Sequence, residues 1–294
     1  MLNQAKAYPY GFYGKGAKCV AQFGQQGFRG DDLFWPWYCD ISNSGDIAIA
    51  DTDNNRIQVF QSSQNTSIFP PYGGLGVKEG DLKSPRSVKY SPIPGTSFAV
   101  ADTGNKRISM LRINYKLGQI EHVFSFGQTI FVEPSDVAVD RRNGNIVVAD
   151  SGLNKVLINN QYGECIGELE QRGFQFCRPS AVTVTHDGKS DIYVSDSGNH
   201  CIRKFTCNGD YVGALGRLGA EEGEFNTPRG IALDRQGYVY VADEFNNRVQ
   251  MFTPDLAHVT TVVSSVPRPK GVAVGQQLLV TSGDQSSFAK VFQS

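Results

Sequence analysis

Short runs of alternating Val, Ile, Tyr and Phe, broken by Gly, Asn and Asp, make up nearly the whole chain. That is strand-and-turn chemistry. One run, Tyr238-Val239-Tyr240-Val241-Ala242, leads into the polar string Asp243-Glu244-Phe245-Asn246-Asn247-Arg248 and back into Val249-Gln250-Met251-Phe252. The same succession recurs behind Asp51, Asp102 and Asp196, and in a looser form behind Asp150, where the Asn slips one place to Asn154. Successive heads are 51, 48, 46 and 47 residues apart. Four short strands and their turns fill such a period, as in one blade of a β-propeller.

A proline opens each unit: Pro36, Pro85, Pro134, Pro179, Pro228 and Pro269. Proline cannot donate to a strand ladder, so it belongs at a first residue, where it fixes the entry angle. Each unit then reads as strand a after the proline, strand b ending on Asp, a tight turn, strand c and an outer strand d. The d strands are predicted near 66–69, 120–126, 165–169, 211–215 and 259–263. The sixth unit has a degraded turn from Thr281 to Ser287 and no d strand before Ser294. The orphan run from Cys19 to Gly24 is predicted to supply it. The expected fold is therefore all-β: a six-bladed β-propeller of four-stranded antiparallel blades, closed by an N-terminal strand completing the last blade. It is a single domain over 1–294, with blades near 35–70, 84–126, 133–170, 178–216, 227–264 and 268–294 plus 18–24. Residues 1–16 read as an irregular lead-in.

Composition adds mainly exclusions. A net charge of −1 over 294 residues advertises neither nucleic acid nor membrane, so any basic face must be local. No apolar run approaches the roughly 20 residues that span a bilayer, and the first residues lack a secretory h-region, so a cytoplasmic location is expected. Cys19, Cys39, Cys165, Cys177, Cys201 and Cys207 read as small, reduced apolar fillers of strands. The four His are scattered and no Cys-x-x-Cys is present, so neither metal nor cofactor is expected. Three Gly-rich loops precede prolines, at 24–33, 73–82 and 216–225. A phosphate cradle would need a helix after them, and each is followed by Pro and a strand.

The Asp-x-x-Asn-x-Arg-Ile/Val string, with its Gly-x-Phe/Leu-x-x-Pro lead-in, resembles NHL repeats over nearly the whole chain. The resemblance implies a six-bladed propeller of the kind found as the C-terminal domain of tripartite-motif ubiquitin ligases and their relatives. Some such domains bind single-stranded or hairpin RNA on one face; others recruit proteins. No RING, B-box or coiled-coil pattern is present, so an excised domain or short homologue is expected.

The repeated Asp51, Asp102, Asp150, Asp196 and Asp243 invite a catalytic reading, but a carboxylate heading a tight turn can accept backbone N–H groups, with the Asn three places on in a left-handed conformation. A structural role is expected for them, and for Arg56, Arg107 and Arg248, which reach back to the turn or the neighbouring blade. A hydrolase or metal-dependent lyase propeller would need clustered His and carboxylates, so no enzyme activity is expected. Around the rim carrying the prolines and b–c turns stand Trp35, Trp37, Tyr38, Arg86, Lys106, Arg178, Arg229, Phe245, Asn247, Arg268 and Lys270. Cations interleaved with aromatics suit single-stranded nucleic acid. The expected function is a non-catalytic RNA-binding platform in post-transcriptional regulation, monomeric in isolation. The alternative is a protein-protein interaction domain that recruits substrates to a tripartite-motif ligase.

Overall fold

Six antiparallel sheets follow one another along the chain, five built from consecutive strands and the last from strands of both ends. The computed structural model describes residues 17–61, 66–170, 173–283 and 287–293. The predicted lead-in and the middle of the sixth turn lie outside them. The six innermost strands start at or just after the prolines: Pro36–Ile41, Ser87–Tyr90, Pro134–Val139, Pro179–Val184, Pro228–Leu233 and Pro269–Val274. In blade 2, Phe98–Asp102, Arg107–Asn114 and Gln119–Phe126 complete the sheet. The outer strand of blade 1 is split, Thr66–Ser67 and Tyr72–Gly73 both pairing with Arg56–Gln61.

Closure follows the expectation. Lys18–Phe23 pairs antiparallel with Phe288–Gln293, Phe23 opposite Ala289, so the last blade is made from both ends of the described chain. This covers an edge that would otherwise present a row of unpaired backbone groups.

A sheet with alternating apolar residues must bury both faces, and a ring of blades does so by pairing neighbours. Six hydrophobic clusters result, one at each blade–blade interface, from Ala48, Val59, Val88 and Val100 between blades 1 and 2 to Phe23, Ile49, Phe60 and Leu279 between blades 6 and 1. Blades 5, 6 and 1 approach closely at the axis. A Cβ on Gly230 would lie 2.7 Å from the Lys270 carbonyl, and one on Gly271 would lie 2.6 Å from that of Trp37.

Phe23 is 2% exposed and packs against Phe60 at 5.5 Å between ring centroids. Phe23→Ala is expected to cost about 3–5 kcal/mol in urea unfolding. Removing residues 1–23 should expose the edge of Phe288–Gln293 and bring aggregation or a large drop in melting temperature. A truncated protein that melts like the intact one would contradict the closure.

Candidate functional site

The rim that carries the prolines is built around the repeated Asp. Asp51, Asp102 and Asp243 are fully buried. Each is tied to the loop before its own blade, accepting the N–H two residues ahead of the proline: Phe34 at 2.7 Å, Lys83 at 2.8 Å and Asn226 at 2.7 Å. Each also accepts the Asn three places on and the Arg five places on, as Asp51 does from Asn54 at 2.9 Å and Arg56 Nε at 2.7 Å. The guanidinium then forks back to the loop; Arg248 donates to the carbonyls of Ala220, Glu221 and Glu224. In blade 4 Cys201 occupies the Arg position, and Arg203, two residues on and on the same strand face, takes over at 2.6 Å. Among the described residues Asp150 keeps the N–H two residues ahead of its proline, that of Val132, but has neither the Asn nor the Arg. It accepts four backbone N–H groups instead, from Val132, Glu133, Gly152 and Leu153. In blade 6 the donor position is Pro267, which has no N–H, and Ser282 replaces the Asp, donating its hydroxyl to the Pro267 carbonyl at 2.6 Å.

The left-handed residue of the turn is the fourth after Asp, not the third: Asn55, Lys106, Asn154, His200 and Asn247 all have φ near +55°. Its side chain stitches to the next blade, accepting the N–H of the residue before that blade's proline. Asn55 takes Ser84, Asn154 takes Arg178, His200 Nδ1 takes Thr227 and Asn247 takes Arg268. Lys106 cannot accept, and there the Glu133 N–H goes to Asp150. A second stitch comes from the residue after Asp: Thr52 and Thr103 donate to the carbonyls of Pro85 and Pro134.

Glu244 holds that second position in blade 5, and sequence reasoning missed it. A hydroxyl there needs one carbonyl; a buried carboxylate needs cations. Three converge on it: Arg229 at 2.7 Å, Arg268 at 2.8 Å and Lys270 at 2.5 Å. The only signal was a charged residue at a site otherwise held by Thr or Ser.

These contacts place the rim residues singled out above. Arg86 pairs with Glu133 at 2.6 Å and lies 4.3 Å over the Trp37 ring, with Lys270 at 5.1 Å and Arg229 at 5.5 Å. Lys270 is buried. Tyr38, 1% exposed, crosses the axis and donates its hydroxyl to the Ser180 carbonyl of the opposite blade, so it is not presented to a base and instead plugs the channel. Burial pushes its phenol well above the ordinary range. Asn247 spends its side-chain oxygen on the Arg268 stitch. Trp35 is half-buried, with its backbone N–H donating to Ser287 Oγ. Phe245 is half exposed under Arg268, and Lys106 and Arg178 project to solvent. The cysteines are free; Cys39 and Cys201 are buried, but Cys19, Cys165 and Cys177 are exposed rather than fillers, because they sit on outer strands and a loop.

The Gly-rich loops add what the sequence left unread. In each, a carboxylate folds back on a loop N–H: Asp32 on Arg29, Asp81 on Lys78 and Glu224 on Glu221. The glycine before that turn must lack a Cβ, since one on Gly27, Gly76 or Gly219 would strike the carboxylate. Apolar side chains sit at the third and fifth loop positions and point to solvent: Leu75 and Leu218, and Phe28 and Val77, all more than 60% exposed.

Among the described residues no group of three or more His, Cys, Asp and Glu is placed to hold a metal ion, and no helix is long and apolar enough to cross a membrane.

Residues 37–284 match the family described as SMP-30/Gluconolactonase/LRE-like region. Protein brain tumor of Drosophila melanogaster is 28% identical over 167 residues, 56% of this chain and 15% of that protein. E3 ubiquitin-protein ligase NHLRC1 of Homo sapiens is 22% identical over 201 residues, 65% and 48% of the two chains. A probable peptidyl-alpha-hydroxyglycine alpha-amidating lyase of Caenorhabditis elegans, pgal-1, is 28% identical over 185 residues, 58% and 50%. The chain thus spans half or less of these curated relatives. A streptogramin B lyase structure superposes with a TM-score of 0.62 at 15% identity, covering 94% of this chain and 89% of that one, which shows the shared fold.

Glu244→Gln leaves Lys270 buried without its counter-charge and is expected to cost about 3–5 kcal/mol. Burial alone would raise the Glu244 carboxyl, but Arg229 and Lys270 outweigh it and hold it below its ordinary 4.5. The stabilisation is present above that value and lost as pH falls through the lower folded one. Urea unfolding should therefore show the gap between wild type and E244Q narrowing below about pH 4.5. A gap that stays constant on acidification would contradict the ion cluster.

Proposed function

The chain belongs to the SMP-30/gluconolactonase/LRE-like propeller family, and on that premise we propose that it is a non-catalytic recognition module that docks a protein partner on the proline-bearing rim. The observation that carries this reading is the set of exposed apolar side chains at equivalent positions of rigid loops: Phe28 on blade 1, Leu75 and Val77 on blade 2, and Leu218 on blade 5. Single exposed apolar residues mean little, but recurrence at matched loop positions on one rim favours an interaction surface. Phe245, 47% exposed in a b–c turn of the same rim, extends it. The loops are already ordered by the Arg forks, so little entropy is lost on docking. Meanwhile the cations expected to grip phosphates are largely spent: Arg86 on Glu133, and Arg229, Arg268 and Lys270 on Glu244.

RNA is the second reading, and Lys106 and Arg178 favour it, being exposed cations whose side chains pair with no other described residue. Relatives named as ubiquitin ligases support a partner-binding propeller without choosing its partner.

A photoreactive residue placed at Leu75 or at Phe245 in cells tests the choice. The expected product is a discrete protein adduct that resists ribonuclease, is competed by excess unmodified domain and disappears when Val77 and Leu218 are changed to Asp. The same residue at Val212, exposed on an outer strand, should give none. Adducts of RNA alone, or equal yields at Val212, would contradict protein docking on this rim.

A further inference from the structure

At the channel end away from the prolines lies a cavity of about 500 Å³, within the range that holds small ligands. Tyr38 separates it from the rim. Its walls are the last residues of the innermost strands and the turns after them. Its lining is mixed: Val139, Val184, Leu233 and Val274 stand beside uncharged polar side chains such as Asn43, Gln276 and Gln277, with several charged groups among them.

The charged groups are unequally occupied. Asp40 accepts the N–H groups of Ile41 at 3.0 Å and Tyr90 at 2.8 Å. Asp234 accepts those of Gln236 and Tyr238, both at 2.9 Å. Both carboxylates are thus engaged in holding the fold. Lys89 has three N–H donors and makes one long bond, 3.4 Å to the Cys39 carbonyl, with no ion pair to another described residue. Burial works against its charge, but Asp136 and Asp40 outweigh it and keep the ammonium above its ordinary value. Arg141 and Arg235, on the turns of blades 3 and 5, line the same cavity, and their guanidiniums have no hydrogen-bond or ion-pair partner among the described residues.

Spare donors on three cations, carboxylates already holding backbone N–H groups and apolar strand ends beside them favour an anionic ligand with an apolar body. We infer that this cavity binds a small organic anion, a carboxylate or a phosphate monoester, with its acidic group on Lys89, its apolar body against the strand ends and Arg141 and Arg235 at the entrance. The site is independent of the docking rim.

Phenylacetate, hexanoate and phenyl phosphate serve as probes, with phenylacetamide and hexanamide as neutral controls, followed by ligand-observed NMR and thermal shift. The acids should bind and raise the melting temperature with concentration, while the amides should not. Preference among the acids tells carboxylate from phosphate. Lys89→Met should weaken the preferred acid by about tenfold or more. Should that variant not fold, the surface pair Arg141→Gln and Arg235→Gln supplies the same test, with a several-fold loss. A variant with Phe245→Ser should bind the acid unchanged. Equal binding of acids and amides, no binding of any probe at millimolar concentration, or binding that survives loss of these cations would overturn the assignment.

Discussion

A carboxylate stripped of water must find donors, and in this propeller it finds them on two segments at once. Each repeated Asp joins the b–c turn of its blade to the loop entering that blade, and in blades 1, 2 and 5 the Arg it holds reaches further along the same loop. Charge-assisted bonds of this kind are stronger than neutral ones, and breaking one side leaves a buried charge without compensation. The entry loop, the turn and the first strand are therefore one unit. The rim inherits its shape from that unit, including the angle at which the loop tips face solvent.

Much of this was legible in the sequence, for reasons that can be located. The 46-to-51-residue recurrence of Asp, the prolines and the orphan strand 18–23 specify the ring and its closure, because they reflect backbone constraints that every blade shares. What stayed hidden depended on exchange between distant positions. Ser282 standing for Asp makes sense only beside Pro267, which has no N–H to offer. Arg203 can stand for a missing Arg because residues two apart share a strand face. The Asn three places after Asp was read as the left-handed residue, yet it is the fourth that takes that conformation, since the third is held by the Asp and the loop. The basic arc was visible, but its neutralisation was not: Glu244 looks like one more turn residue until one cation of its own blade and two of the next meet it.

The two ends of the channel consequently have different characters. At the proline end most of the cations, Lys106 and Arg178 excepted, are spent on carboxylates, and apolar side chains stand exposed on pre-ordered loops. At the other end the carboxylates are held by backbone N–H groups, and the spare donors are those of Lys89, Arg141 and Arg235. Tyr38, anchored on the opposite blade, keeps the two apart.

The central claim is that the Asp carboxylate, through its Arg, holds the entry loop. Amide hydrogen exchange on Asp102→Ala tests it most directly. Arg107, 5% exposed, would lose its counter-charge, and Lys83 its acceptor. The account predicts a loss of about 3–5 kcal/mol, with exchange in residues 73–83 accelerated well beyond that in blades 4 and 5. A loop that keeps its protection in D102A, or a stability unchanged from wild type, would contradict it.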